Sequence, residues 1–202
     1  MRSRKVAGLY GLLAAGLLIG VQAVPVAATS VSFGADLSNS NGGPTGAETC
    51  SQNASVPNGT VCTWVAIDAA HNGGHEKAPK NGTITKLSLK SCIGGSFLLQ
   101  IARANESTHK AQIVRNGPTI RYQKDPRSQC GGDNGNYIIQ TFNISVHVNK
   151  GDYIAVKAAK VGPIYNSGGS GVLLFHPPLP TGGQLKHTND DSSADLLIRL
   201  TY

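Results

Sequence analysis

The chain carries a single tryptophan, a single methionine and few rings of any kind. With so few, packing in the core accounts for each ring at least as well as contact with a ligand does. Beyond the N-terminal segment no stretch shows an apolar period of about 3.6 residues, which excludes helical bundles and coiled coils. Closely spaced Cys-x-x-Cys pairs are missing, so zinc ribbons and fingers go too. No internal repeat is visible, and solenoids and propellers are set aside with it. Aromatic and basic residues do not interleave, so nucleic acid is not an expected partner.

What the sequence does have begins at its N-terminus. Met1-Arg2-Ser3-Arg4-Lys5 precedes an uncharged run from Val6 to Val21 and the small-residue exits Val21-Gln22-Ala23 and Val26-Ala27-Ala28. A basic start, an apolar centre and a short-side-chain exit describe a secretory signal peptide. The run is short for a membrane span of ~20 residues, which favours cleavage over retention as an anchor. The expected organisation is a signal peptide over residues 1–28, cleaved after Ala23 or Ala28, then one disulfide-bonded domain over residues 29–202. No membrane span is expected after cleavage, and the mature protein is expected outside the cell or at its surface. Of the formal charge of +7, Arg2, Arg4 and Lys5 supply three, leaving +4 spread along the mature chain. Lys77, Lys80, Lys86 and Lys90 cluster loosely, a pattern that suits an anionic envelope polymer or plain solubility.

All four cysteines, Cys50, Cys62, Cys92 and Cys130, lie in the exported part. An even number in an oxidising compartment reads as two disulfides. Spacing alone allows three pairings, and the smallest loops favour Cys50–Cys62 and Cys92–Cys130. The first would staple a Gly-, Ser- and Asn-rich segment with little apolar content, each bridge contributing roughly 3–4 kcal/mol.

Alternation supplies the secondary structure. Phe142, Ile144, Val146 and Val148 share one parity against Asn143, Ser145, His147 and Asn149, the pattern of a strand with one buried and one wet face. Further strands are expected at Val31–Leu37, Val61–Asp68, Thr83–Cys92, Ser96–Ala104, Val172–His176 and Ala194–Tyr202. The run "AQIVRNGPTIRYQ" reads as two short strands broken at Asn116-Gly117-Pro118. Gly94-Gly95 and Lys150-Gly151-Asp152 read as hairpin turns. Roughly eight to ten short strands punctuated by Gly, Pro and Asn predict an all-β fold, a single antiparallel β-sandwich of jelly-roll type.

Several phrases follow one another in order: "SFGADLS", "CTWVA", "NGTITKLSLKS", "FLLQIARA", "NGPTI", "FNISVHVNKGDYIAVKA", "GPIYNSGG", "LLFHPPLPTGGQL" and "ADLLIRLTY". Together they resemble the secreted, single-domain, jelly-roll-like β-sandwich proteins of actinobacteria, over nearly all of the mature chain. None of the phrases is a catalytic signature, and that family has no assigned function. The resemblance therefore implies fold, export and disulfides, and no active site.

Candidate chemistry is thin. His71 and His75, with Glu76 alongside, offer zinc or copper ligands, but Gly73-Gly74 disfavours the helix that would align them. Asn189-Asp190-Asp191 with Asp195, and Asp133 in a glycine-rich loop, offer calcium-type oxygens without the Asp-x-Asp-x-Asp-Gly spacing. Gly168-Gly169-Ser170-Gly171 fails the nucleophile-elbow pattern because residue 172 is valine. A secreted polysaccharide-degrading enzyme, the third reading, would draw on Glu76, Glu106, Asp125 or Asp133, with nothing to bring two together. No catalytic residue, metal or cofactor is expected.

Binding is easier to motivate, since a sugar's C–H face stacks on a ring while its hydroxyls need hydrogen bonds. Trp64, Tyr122, Tyr165 and Asn166 are the candidate ligand-binding residues, with His147 or Arg103 on wet faces. The expectation is a secreted, non-catalytic module that recognises a glycan or another cell-envelope component. The alternative is a structural, self-associating surface protein like the trimeric jelly rolls, which needs a broad exposed apolar face. The oligomeric state is left open.

Overall fold

Residues 30–37, 43–54, 56–68, 74–126, 129–131, 137–166 and 171–202 are described by a computed structural model; the expected signal peptide lies outside them. Among the described residues nearly all regular structure is strand, and the strands pair antiparallel. The exception is a one-turn helix, α1 (Cys50–Ala54), and no helix there is long and apolar enough to cross a membrane.

Two sheets carry the molecule. The smaller places β1 (Ser32–Gly34), β15 (Ile198–Thr201), β4 (Gly82–Leu89) and β7 (Gln140–Val148) side by side in that order. The larger runs β12 (Lys186–His187), β6 (Lys110–Tyr122), β5 (Gly95–Asn105), β8 (Tyr153–Ala158), β3 (Cys62–Ala66), β11 (Val172–Phe175), β13 (Asp190–Ser192). Two short ladders, β2 (Glu48–Thr49) on β9 (Lys160–Val161) and β10 (Ile164–Asn166) on β14 (Ala194–Leu196), complete the pairing. The main core is shared between the sheets: Phe33, Ile84, Leu87, Val146 and Leu200 from one meet Trp64, Leu99, Val156 and Leu174 from the other. The arrangement is sandwich-like.

Alternation reads β7 correctly, for Val146 and Val148 are buried while Asn143, Ser145 and His147 face water. The expected hairpin partners are wrong, however. β7 pairs with β4 in the smaller sheet, and β8 pairs with β5 and β3 in the larger one. The turn between them, with Gly151 at φ 87°, carries the chain across the sandwich rather than back along one sheet. Asp152 fixes that crossing by accepting from the Asn149 amide at 2.7 Å. Gly94-Gly95 likewise links β4 to β5 in opposite sheets. The true hairpin is β5–β6, and β6 is one continuous strand whose Gly117 and Pro118 form a bulge opposite Leu99.

The larger sheet has a second core on its far side. Val65, Ala102, Ile113, Ala155, Leu173, Phe175 and Leu179 gather there, which is why β3 and β11 are buried at every residue. Two features close that side. Residues 186–192 edge both borders of the sheet, β12 lying on β6 and β13 on β11, so the sheet curls until its borders meet. The Thr188 amide donates to His109 O at 2.8 Å and the Asn189 amide to Leu174 O at 2.9 Å. The segment before it crosses the concave face, where Leu179 is 3% exposed and its amide donates to Thr63 Oγ1 at 3.1 Å.

Both disulfides follow the smallest-loop pairing, Cys50–Cys62 and Cys92–Cys130. The first fastens α1 to β3, and the second joins the β4–β5 crossing to the segment before β7.

Candidate functional site

The bulge in β6 opens a groove between the border strands of the two sheets. Asn116, Gly117 and Pro118 line it from β6, and Asn143, Ile144 and Ser145 from β7, around a cavity of about 520 Å³. Local chemistry explains why the bulge sits here. A Cβ on Gly117 would lie 3.0 Å from Leu99 Cδ2 and 3.0 Å from Val146 Cγ2, so a larger residue would have to push those side chains aside and glycine lets the backbone pack close. Pro118 has no N–H to pair, and a bulge tolerates that.

Asn116 is held from below. Buried Gln100 donates from Nε2 to Asn116 Oδ1 at 2.9 Å, and its own Oε1 accepts from Thr63 Oγ1 at 3.2 Å. Thr63 in turn accepts from the Leu179 amide. This polar chain runs from the segment over the second core to the groove and leaves the Asn116 NH2 to donate elsewhere. Asn143 and Ser145 are exposed on the wet parity of β7, while Ile144 is half-buried and packs on the core. The lining therefore combines amide and hydroxyl groups with an aliphatic floor, and it holds no titratable side chain.

The residues expected to bind ligand do not assemble. Trp64 is fully buried at 0% exposure and donates from Nε1 to Ala158 O at 3.2 Å. It belongs to the central strand β3, covered on both sides, so it is a core residue and not a stacking platform. Tyr122 is buried against Phe97, with ring centroids 5.8 Å apart. Burial pushes its hydroxyl up from the ordinary phenol range, and that oxygen accepts from the Gly162 amide at 3.0 Å. Tyr165 is half-buried against Ala35, Leu37 and Leu197. The side chain of Asn166 lies outside the described residues. Arg103 is spent on Asp152 at 3.4 Å, and His147 stands on the exposed face of β7. Sequence reasoning missed the groove because its signal, Asn-Gly-Pro inside an alternating run, reads equally well as a turn between two strands.

Metal readings fare no better. His71 and Asp133 lie outside the described residues, as do Gly168, Gly169 and Ser170; His75 bridges to Gly34 through its backbone, its side chain is exposed, and no described metal-type grouping includes it. Asp190 and Asp191 belong to a strand, not a turn. Asp191 pairs with His109 at 2.7 Å, and Asp190 Oδ1 accepts from the Asp191 amide. Asp195 is buried and engaged within the chain. Among the described residues one grouping brings metal-type atoms within 4.8 Å, Cys50, Cys62 and His176. Both sulfurs there are in the disulfide and present no thiolate.

Of the carboxylates named for hydrolysis, the described ones, Glu76, Glu106 and Asp125, are all held in contacts within the chain. Glu76 and Glu106 do converge, on Lys77 Nζ at 3.9 and 2.9 Å. Burial would raise the Glu106 carboxyl, but the Tyr153 hydroxyl and the Lys77 ammonium outweigh it and hold it low. An acid catalyst needs the reverse. Asp125 accepts from the Ile138 amide at 2.5 Å, tying down the segment before β7. Nor do the four clustered lysines form a patch. Lys77 is in this network, Lys80 lies 4.9 Å over the Tyr202 ring, Lys90 is buried, and Lys86 alone is free on β4. Comparison of the chain with family models, with curated proteins and with solved structures finds no match.

Proposed function

We propose that this is a secreted, non-catalytic binding module of jelly-roll type that recognises a glycan or another cell-envelope component through the β6–β7 groove. Export rests on the N-terminal segment, and the two disulfides are compatible with an extracellular location. The jelly-roll reading is supported by topology: the order β1-β15-β4-β7 packs against β6-β5-β8-β3, with the chain crossing between sheets at β4–β5 and β7–β8. The actinobacterial family suggested by the sequence phrases fits the same description.

The observation that carries the binding role is the groove lining. Asn116, Asn143 and Ser145 supply donors and acceptors, and Ile144 with Pro118 supplies an apolar floor, the combination a polyhydroxylated ligand needs. The trimeric, self-packing reading is less favoured. Among the described residues the large exposed apolar side chains, Val31, Val61, Ile139 and Leu185, sit on separate segments and form no broad face.

A glycan array probed with the processed protein tests the role, followed by titration of any hit against an Asn143→Ala/Ser145→Ala variant, whose two side chains are exposed in the groove. Each lost hydrogen bond should cost about 1 kcal/mol, so affinity should fall at least tenfold with the melting curve unchanged. An empty array, or a hit the variant binds as well as the parent, would overturn the proposal.

A further inference from the structure

The charges of the chain are divided unequally between inside and outside. Every carboxylate among the described residues is engaged within the chain: Asp36 by Arg199, Glu48 by Ser192, Glu76 and Glu106 by Lys77, Asp125 and Asp152 by backbone amides. Asp190, Asp191, Asp68 and Asp195 are likewise taken. Arg121 and Lys157, by contrast, are exposed and make no ion pair with the described residues.

These two cations share one face of the larger sheet. Lys157 on β8 stands opposite Leu98 on β5, and Leu98 opposite Thr119 on β6. One row further along, Ser96 stands opposite Arg121. Directly opposed residues in antiparallel pairs point to the same side. This is therefore the far face of the sheet, beyond the end that Leu179 covers. Its β6 border is the strand whose Asn116 lines the groove, so the two surfaces adjoin.

We propose that this face extends the groove and selects an acidic polysaccharide, a chain bearing repeated carboxylates. The proposal rests on the glycan reading above and names its ligand class. Strand geometry puts the Arg121 and Lys157 backbones about 12 Å apart. Two cations spread over neighbouring strands in this way suit a polymer that presents successive charges. Thr119 and Ser96 lie between them to meet hydroxyls, and half-buried Leu98 offers an apolar spot for a sugar ring. A nucleic acid fits less well, because Trp64, Phe97 and Tyr122 are buried and no ring here is free for base stacking.

The test compares polygalacturonate with its fully methyl-esterified form, which keeps the backbone and loses the charge. The parent protein should bind the acid form at least tenfold more tightly, and the advantage should shrink as salt rises. A Lys157→Ala/Arg121→Ala variant should bind both forms alike, and a Lys157→Arg/Arg121→Lys variant should keep the preference. Both pairs are exposed, so near-identical melting curves confirm that folding is intact. Equal binding of acid and ester by the parent would overturn the charge selection while leaving the glycan reading standing. Binding of neither form, with neutral hits on the array, would do the same. Binding of neither with an empty array would remove both. Equally tight binding of duplex DNA would also overturn the proposal, marking the face as an unselective cationic surface.

Discussion

The two sheets bury themselves differently. In the smaller, β4 and β7 alternate: Ile84, Leu87, Val146 and Val148 enter the shared core while Thr83, Lys86, Asn143 and His147 stay wet. In the larger, β3, β8 and β11 are buried almost throughout, because one side packs on the smaller sheet and the other on the second core. A sheet covered on both sides is written as a near-continuous apolar run, and a sheet with one wet side as an alternation. The comparison also locates the surfaces available for binding. Among the described residues they include the border groove, the uncovered end of the larger sheet, and the wet face of the smaller one.

Cutting into each core is the strongest way to break this comparison. Trp64→Ala removes a fully buried ring and a hydrogen bond, and should cost about 3–5 kcal/mol in chemical denaturation. Leu179→Ala tests the second core and should cost about 2–4 kcal/mol. A cost within about 0.5 kcal/mol of zero for Leu179→Ala would mean that the covering segment is only laid on the sheet, and that the larger sheet too has a wet face.

Trp64 also shows where sequence reading stops. The run Val61–Asp68 is plainly a strand, yet nothing local says whether its flanks will be covered. That depends on β8 and β11, which lie far along the chain. The hairpins went wrong for the same reason. Alternation and turn residues mark β4, β5, β7 and β8 well, but whether a turn folds back or crosses between sheets is decided by long-range packing. Both disulfides were legible, because short loops close most readily. The two- and three-residue strands β12 and β13 were not, since their apolar content is too small to carry a pattern. As for the candidate site, its residues stood in view within an alternating run, but their convergence needed the bulge at Gly117.

The edge of the second core offers a finer test. Tyr153 donates to Glu106 at 2.5 Å, and Lys77 lies 2.9 Å from the same carboxylate. Burial, then the bond to Glu106, pushes the Tyr153 hydroxyl up to about 12. Lys77 is likewise raised, by its bonds to Glu106 and Tyr153. Groups raised on folding stabilise below their unfolded values, and that contribution is lost as pH climbs through the folded ones. Melting temperature should therefore fall between about pH 10 and 12. Tyr153→Phe should cost about 1–2 kcal/mol near neutrality, with the gap to the parent closing across that alkaline window. A gap that stays constant to pH 12 would show that the hydroxyl's proton is not part of the linkage.

On the smaller sheet the informative residue is the one that breaks its pattern. Lys90 follows β4 on the wet parity of Lys86 and Ser88, yet it is 3% exposed. Nearby Asp36 is committed to Arg199 at 2.5 Å. Burial lowers the Lys90 ammonium from its ordinary range, Asp36 opposes that, and Arg199 adds to it. A cation depressed on folding penalises the folded state below its folded pKa, and the penalty fades as pH rises toward the ordinary lysine value. Lys90→Met keeps the length of the side chain and removes the charge. It should stabilise the protein by about 1 kcal/mol at neutral pH, with the gain shrinking toward pH 10. On the same sheet, Thr83→Ala and His147→Ala should each lie within about 0.5 kcal/mol of the parent, since their side chains face water. If Lys90→Met destabilises instead, the ammonium is structurally required where it stands. The smaller sheet would then hold a covered patch of its own, and the contrast with the larger sheet would be one of degree.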